Sequence, residues 1–392
     1  DSAFSALVFK TIADPYAGRL TIFRVYSGTL TSDGNFYNTT RKVSERTGNI
    51  SYLEGKTQKA AEQLIPGDIA ALSKLKDTFT GDTICIEKAP VVFDKIEVPP
   101  TIISFAIEPK SRGDEEKIVS SINRLTEEDP TLSFHRDEQT KEMIISGMGQ
   151  VHIEVNMEKM KRKFGVEVNL KTPRVPYKET IKGKTNVQGR YKKQSGGRGQ
   201  FGDCWLDIEP LPRGGGFEFV DKIVGGVIPQ QYRPAVEKGI IEAMEEGVVA
   251  GYPFVDFKVS LVDGSYHTVD SSEMAFKIAG SMGFKKGVMA CQPILLEPIV
   301  NIEIEIPDEY MGDVIGDLNS RRGRVLGMDS KGANQIVKGQ VPLAEILKYA
   351  PDLTSMTSGR GTFTYTHSHY EEVPAHLAEK IIAESKKEKE EE

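Results

Sequence analysis

The sequence predicts a multidomain α+β protein with a β-barrel at its N-terminal end and two ferredoxin-like split βαβ sandwiches further along. Residues 5–93 contain short strand-like runs separated by turns at close intervals. Residues 102–170 alternate strands and helices in the order β-α-β-β-α-β, and the same order returns at 299–367. A different α+β pattern lies between these two repeats, so we expect four domains.

The length of 392 residues allows several hydrophobic cores of ordinary size. The expected division is a β-barrel at 1–97, a first ferredoxin-like domain at 98–171, an α+β middle domain at 172–298, a second ferredoxin-like domain at 299–385 and a tail at 386–392. The tail is a run of charged residues that cannot bury enough apolar surface to fold, so we expect it to be disordered.

The barrel prediction rests on turn signals around Gly34, Gly67 and Gly81, with no sustained helical period between them. Many short strands joined by tight turns are typical of a small closed barrel. The dipeptide Pro99-Pro100 would form the linker that ends it.

Each ferredoxin-like domain should place two helices on one face of an antiparallel sheet. Helix 114–127 would bury Ile118, Ile122 and Leu125, with Asp114 as its N-cap. The first domain has predicted strands at 102–107, 132–135, 142–145 and 166–170 and helices at 114–127 and 150–164. The second has predicted strands at 299–306, 324–328, 335–341 and 361–367 and helices at 307–320, 343–353 and 374–385.

The middle domain contains a strongly basic stretch. Residues 180–202 carry six Lys and Arg side chains and no carboxylate, whereas the whole chain has a formal net charge of −7. A local positive site on an acidic protein favours a phosphate-rich partner, and Tyr191 and Phe201 could stack on bases. A solvated hairpin tip explains the same composition, so the residues alone leave both interpretations open.

A second loop of the middle domain follows a turn at Gly264 and exposes Tyr266 and His267. A helix over 271–282 should follow it, with Asp270 or Ser271 as the cap. The residues do not establish whether this loop lies beside the basic one. The other predicted elements of the domain are strands at 177–181, 203–209, 217–221 and 256–262 and a helix at 233–246.

Motifs for nucleotide, cofactor and metal sites are incomplete. The Gly-Lys-Thr runs at 55–57 and 183–185 lack the earlier glycine of a phosphate loop, and the Gly-Met-Gly run at 147–149 lacks the third glycine of a dinucleotide fingerprint. His367 and His369 face the same way on a predicted strand but have no third ligand at metal-site spacing. We expect no catalytic residue, cofactor or metal in this chain. An enzyme with a nucleotide at Gly147 or a metal at His367 is the alternative.

No uncharged stretch is long enough to cross a bilayer, and no charged-then-apolar leader opens the chain, so we expect a cytoplasmic protein. Because the sequence begins at Asp1 without a Met, we expect a fragment or a processed product. The three cysteines are odd in number and far apart, which argues against a disulfide framework.

Two segments of the middle domain resemble a known family. Residues 194–202, Gln-Ser-Gly-Gly-Arg-Gly-Gln-Phe-Gly, and residues 264–273, Gly-Ser-Tyr-His-Thr-Val-Asp-Ser-Ser-Glu, are similar to the fourth domain of bacterial elongation factor G. The resemblance is co-linear: segments 24–28 and 67–72 resemble the second domain of translational GTPases, 107–110 and 146–149 the third domain of the factor, and 323–325 and 359–361 its fifth. It implies that the chain comprises domains two to five without the N-terminal GTPase domain.

The resemblance implies a monomer that is not itself an enzyme, with GTP and Mg²⁺ bound by the missing domain of a GTP-hydrolysing translation factor. The implied partners are tRNA, mRNA, ribosomal proteins and the rRNA of both ribosomal subunits. The tip of the fourth, ribosomal-protein-like domain would contact tRNA and mRNA in the decoding region during translocation. The implied tip residues are Lys192, Lys193, Gln194, Ser195, Gly196, Gly197, Arg198, Gly199, Gln200, Tyr266 and His267.

Related functions stay open at this point. A paralogue specialised for ribosome recycling would share the architecture, and a ribosome-independent RNA-binding protein would share the basic loop. The ribosome-protection proteins that confer tetracycline resistance carry a different tip loop, so residues 195–199 argue against that assignment.

Overall fold

A computed structural model of the chain describes residues 2–14, 18–55, 57–111, 113–194 and 199–391. It forms two compact units. The first comprises Asp1–Arg174 with Leu347–Thr364, and the second comprises Val175–Ile346 with Tyr365–Glu392.

The first unit begins with an eight-stranded sheet in the order β5-β4-β10-β1-β2-β9-β6-β7 and a small β3-β8 sheet. Its core contains Phe4, Val8, Phe23, Leu72 and Ile84. The strands are β1 (Ser5–Asp14), β2 (Gly18–Ser27), β3 (Leu30–Thr31), β4 (Asn35–Asn38), β5 (Val43–Arg46), β6 (Ile50–Glu54), β7 (Thr57–Ala61), β8 (Gln63–Leu64), β9 (Ile69–Ser73) and β10 (Thr83–Cys85).

The sheet differs from the predicted closed barrel in one respect. Its end strands β5 and β7 do not pair with each other within the described part of the chain, so the hydrogen-bonded path stays open. Both strands carry polar and charged side chains, and four of the five residues of β7 are exposed. Polar, solvated edge strands of this kind are how a sheet ends without further pairing.

The first unit continues with a four-stranded antiparallel sheet in the order β12-β13-β11-β14. Its elements confirm the predicted β-α-β-β-α-β order, and α1 buries Ile118, Ile122 and Leu125 as expected. Asp114 precedes α1 but makes no capping hydrogen bond, because its carboxylate accepts one from Lys117 instead. The elements are β11 (Ile103–Pro109), α1 (Glu115–Glu128), β12 (Ser133–Arg136), β13 (Met143–Gly147), α2 (Gln150–Phe164) and β14 (Val168–Lys171).

A partly buried carboxylate joins the eight-stranded sheet of the first unit to helices α1 and α2. Glu128, at the end of α1, accepts hydrogen bonds from Lys163 Nζ at 2.7 Å and from the backbone N–H of Ala13 at 3.3 Å. Lys159 Nζ lies 3.4 Å from its other oxygen. These contacts hold β1 against the pair of helices.

The second unit contains a mixed sheet in the order β16-β17-β19-β18, on which two helices pack. Its core contains Leu206, Val236, Phe257, Phe276 and Phe284. The elements are β15 (Lys178–Ile181), β16 (Thr185–Lys193), β17 (Gln200–Pro210), β18 (Phe217–Asp221), α3 (Arg233–Glu246), β19 (Phe257–Ser265) and α4 (Glu273–Ala290).

Helix α4 is longer than the sequence predicted, because its glycines serve packing and do not end it. A Cβ on Gly283 would lie 3.0 Å from the Cα of Gly189 on β16, and one on Gly287 would lie 2.5 Å from the Ile208 side chain on β17. Glycine therefore allows α4 to approach the sheet closely over its whole length.

The rest of the chain repeats the split βαβ order. A sheet in the order β15-β20-β22-β21, with β23 paired to β20, combines β15 with the later strands. The predicted helix at 343–353 is two helices, of which α7 belongs to the first unit. The elements are β20 (Pro293–Pro307), α5 (Met311–Ser320), β21 (Arg324–Lys331), β22 (Asn334–Pro342), α6 (Leu343–Ile346), α7 (Tyr349–Met356), β23 (Thr362–Glu372) and α8 (Ala375–Glu391).

The last helix replaces the predicted disordered tail. Helix α8 continues to Glu391, since Glu and Lys, which make up the charged run, are both good helix formers. Its apolar face, including Leu377 and Ile381, packs on Leu295 and Ala250. None of the described helices is long and apolar enough to span a membrane.

Candidate nucleic-acid interface

The basic stretch forms a hairpin that extends from the sheet of the second unit. Strands β16 and β17 pair without interruption from Thr185 opposite Ile208 to Lys193 opposite Gln200. Lys192, Lys193, Gln194 and Gln200 are exposed, and Gly199 is half-buried. Among the predicted tip residues, Ser195, Gly196, Gly197 and Arg198 lie outside the described residues.

The second predicted loop follows β19. Tyr266 is 44% exposed, and the side chain of His267 is 55% exposed. Helix α4 then begins at Ser272, whose Oγ accepts a hydrogen bond from the N–H of Ala275 at 3.2 Å. The cap is therefore Ser272, one residue beyond the two that the sequence predicted, because Asp270 and Ser271 make other contacts.

Those contacts bring the two loops together, a question that the residues alone left open. The N–H of Phe201 donates to the carbonyl oxygen of Asp270 at 2.9 Å, and Ser271 Oγ donates to the carbonyl oxygen of Phe201 at 2.9 Å. A cleft of about 300 Å³ lies between the loops and is lined by residues of both, including Lys192, Gln194 and His267. The hairpin end and the His267 turn are thus one surface.

This surface is positively charged where it meets solvent. Lys192 and Lys193 both lie exposed on it. Tyr191 precedes them on β16 and donates its hydroxyl hydrogen to Gln200 Oε1 at 3.0 Å. The guanidinium of Arg190 lies 5.7 Å from the ring centre of Phe201. Cations beside aromatic rings can contact both phosphates and bases.

Two glycines at the base of the hairpin pack against α4. A Cβ on Gly202 would lie 2.5 Å from the carbonyl oxygen of Ala275, and one on Gly189 would lie 2.2 Å from that of Ala279. At these two positions the close neighbour is the helix, which therefore fixes the hairpin's direction.

The other candidate sites have structural partners. His369 Nε2 lies 2.9 Å from Glu371, and burial together with the nearby Lys178 lowers the pKa of His367. No group of three residues that could hold a metal occurs in the described part of the chain. Gly147 packs against His152, whose Nε2 lies 2.8 Å from an Asp129 oxygen.

The Gly-Lys-Thr run at 183–185 lies where one strand leads into the next. Gly183 and Lys184 connect β15 to β16, and no helix follows them to direct backbone N–H groups at a phosphate.

The three cysteines are free and buried, and burial raises the pKa of Cys204 to about 12, with Asp203 adding to the effect.

Comparison with known proteins identifies the domains in order. The models named Elongation factor G domain 2, Elongation Factor G, domain III, Elongation factor G, domain IV and Elongation factor G C-terminus match residues 3–87, 98–172, 173–292 and 294–381. The chain belongs to the elongation factor G family. The four matches cover domains II to V of that family, and both loops of the candidate interface lie in domain IV.

A solved structure has the same fold as this elongation factor G chain. A protein from Thermus thermophilus, known from its crystal structure, aligns with a TM-score of 0.82 and 39% identity over 99% of the chain. The chain spans 58% of the length of that relative.

Sequence reasoning missed the residues that join the two loops. Asp270 and Ser271 were considered only as helix caps. The signal that could have identified them is their position, because this polar pair directly follows the exposed histidine turn. Their roles depend on Phe201 and Gly199, which are about 70 positions away in the chain.

Proposed function

We propose that this chain is the ribosome-binding part of a translational GTPase that promotes the movement of tRNA and mRNA during protein synthesis. The observation that carries the proposal is the joined pair of loops at the end of domain IV, which presents exposed Lys192, Lys193, Gln194, Tyr266 and His267 on one surface. In the proposal, this surface enters the decoding region and contacts tRNA and mRNA.

The tip acts through shape and through contacts with phosphate and base edges. Lys192 and Lys193 form charge-assisted hydrogen bonds to RNA phosphates, which position the tip without sequence specificity. His267 and Tyr266 stack on or hydrogen-bond to exposed bases. Ser195, Gly196, Gly197 and Arg198 also contact RNA in this proposal.

The other domains have supporting roles in the proposal. Domain II rests on rRNA of the small subunit, domain III relays the nucleotide state of a GTPase domain, and domain V faces rRNA of the large subunit, with ribosomal proteins nearby. GTP and Mg²⁺ belong to that GTPase domain and supply the hydrolysis step when bound there. The factor works as a monomer in the cytoplasm.

The test uses the complete factor, in which these domains are joined to a GTPase domain. We expect the Lys192→Ala/Lys193→Ala variant and the His267→Ala variant to slow single-round translocation at saturating factor. The double lysine variant should also reduce the salt dependence of ribosome binding, with a slope lower by about 1 per lost phosphate contact.

Lys286→Ala is the matched control, because this exposed lysine lies on α4 about 20 Å along the helix from its start at the tip. Unchanged translocation rates in both tip variants would contradict the proposal. Impaired subunit splitting with normal translocation would favour a recycling paralogue. Equal affinity for ribosomes and for arbitrary duplex RNA at the same salt would favour a ribosome-independent RNA-binding protein.

A further inference from the structure

We propose that Asp270 is a positioning residue, which fixes the two tip loops in one arrangement and sets the orientation of the His267 ring. The consequence for RNA contact rests on the function proposed above, whereas the positioning itself is a property of this chain. Asp270 makes three sets of contacts: through its backbone, through its carboxylate and with the neighbouring imidazole.

The backbone contacts form a joint between the loops. Phe201 and Ser271 form an isolated parallel β-bridge, in which the Phe201 N–H donates to the Asp270 carbonyl oxygen at 2.9 Å. Ser271 Oγ accepts from the His267 N–H at 2.9 Å and donates to the Phe201 carbonyl oxygen at 2.9 Å. One serine hydroxyl therefore connects the hairpin to the histidine turn.

The Asp270 carboxylate reaches the backbone just before β17. Its Oδ1 accepts a hydrogen bond from the N–H of Gly199 at 3.1 Å. A Cβ on Gly199 would lie 3.0 Å from the carboxyl carbon of Asp270, so the backbone approaches as closely as glycine allows. The carboxylate thus holds the chain at the point where it enters β17.

The same residue orients the imidazole. Nδ1 of His267 lies 3.2 Å from the backbone nitrogen of Asp270 and 3.3 Å from that of Val269, and it accepts from their N–H groups. A neutral ring with Nδ1 as acceptor carries its hydrogen on Nε2, which faces away from the joint. Asp270 Oδ2 lies 3.3 Å from Nδ1, close enough to pair with the ring when it is protonated.

Asp270 is not needed for the fold of domain IV. The cap of α4 is Ser272, and the Asp270 side chain is 31% exposed and lies outside the core cluster of the domain. Removing the carboxylate should therefore loosen the tip and leave the sheet and helices intact. This separates a positioning role from a general structural one.

The first experiment is amide hydrogen exchange on this 392-residue chain. In Asp270→Ala we expect the Gly199 amide to exchange about tenfold faster, as expected for loss of one charge-assisted hydrogen bond. Asp270→Asn keeps an acceptor oxygen and should stay within about threefold of the wild type.

Asp207→Ala is the control, because its carboxylate pairs with Asn186 at 2.6 Å on the same two strands, away from the tip. Unchanged exchange at Gly199 in Asp270→Ala would overturn the proposal. Faster exchange throughout the core of domain IV would also overturn it, because the role would then be structural. An Asp270→Asn variant as perturbed as Asp270→Ala would overturn the hydrogen-bonding role.

The second experiment measures translocation by the same variants in the complete factor. We expect Asp270→Ala to be slowed at least about fivefold at saturating factor and Asp270→Asn to recover most of the rate. If His267→Ala is impaired while a loosened Asp270→Ala is not, positioning by Asp270 is irrelevant to the function and the inference fails. If neither tip variant is impaired, the proposed function fails, although the exchange result on the isolated chain still stands.

Discussion

Replacing Glu179 with Gln should destabilise domain IV, because this carboxylate accepts five backbone hydrogen bonds from one loop. Glu179 lies on β15 and is completely buried. Its Oε2 accepts from the N–H groups of Val248 and Val249 at 2.7 and 2.8 Å. Its Oε1 accepts from three further N–H groups at 2.7, 2.9 and 3.1 Å, those of Ala250, Gly251 and Tyr252.

The size of the effect follows from which oxygen is lost. Gln keeps an acceptor in place of Oε1 but puts an NH₂ group where Oε2 accepts two hydrogen bonds. The N–H groups of Val248 and Val249 then face this NH₂ group and lose their acceptor. Each unsatisfied donor costs about 1–3 kcal/mol when buried. Val248 and Val249 are half-buried, so water can reach part of this region. We therefore expect a loss of about 2–4 kcal/mol in the free energy of unfolding.

The assay is urea unfolding followed by the fluorescence of Trp205, the single tryptophan of the chain, which lies on β17 in domain IV. The control is Glu209→Gln on the same strand, whose half-exposed carboxylate lies 3.9 Å from Lys258 Nζ. It should change stability by less than about 0.5 kcal/mol. A Glu179→Gln midpoint equal to that of the control would refute the reasoning.

Arg322→Lys should cost about 1–3 kcal/mol by urea unfolding, because Arg322 binds both oxygens of the buried Glu297 at 2.6 and 2.9 Å and Lys cannot form this pair of bonds. Burial pushes the pKa of Glu128 upward, but the hydrogen bond and charge of Lys163 outweigh this and hold it below its ordinary 4.5. The stabilisation by Glu128 is therefore present above the ordinary pKa of 4.5 and is lost as the pH falls through the lowered pKa. Glu128→Gln and wild type should differ in urea midpoint at pH 7, and the difference should shrink as the pH falls below 4.5. Because burial raises the pKa of the Cys204 thiol to about 12, this thiol should react with a disulfide reagent at pH 8 only after unfolding; rapid reaction in the folded chain would contradict this.

The sequence predicted those features that depend on local periodicity. Helix α2 has the predicted bounds, and the spacing of Ile118, Ile122 and Leu125 identified the buried face of α1. Apolar side chains three and four positions apart on a helix meet the same neighbour, so the pattern carries the packing direction.

Features that depend on distant pairing were not predictable in this way. Whether β5 meets β7 is decided by the curvature of the whole sheet, which no short segment contains. The sequence predicted an α4 that is too short. The glycine at 283 lowers helix propensity by the same amount whether it ends a helix or packs against a strand, so propensity does not distinguish the two cases. At the tip, the exposed residues were found from charge and turn composition, but the joint between Phe201 and Ser271 requires contact across 70 positions.

Strand β20 has a consequence for dividing this protein into parts. At 15 residues it is about 50 Å long. Its first residues pair with β15, from Lys178 opposite Leu296 to Ile181 opposite Pro293, and its later residues pair with β22. The boundary between the two family matches, at 292 and 294, falls where this strand begins. A chain cut there would leave β15 with an unpaired edge, so a recombinant domain IV should retain residues through Leu296 to avoid edge-to-edge aggregation.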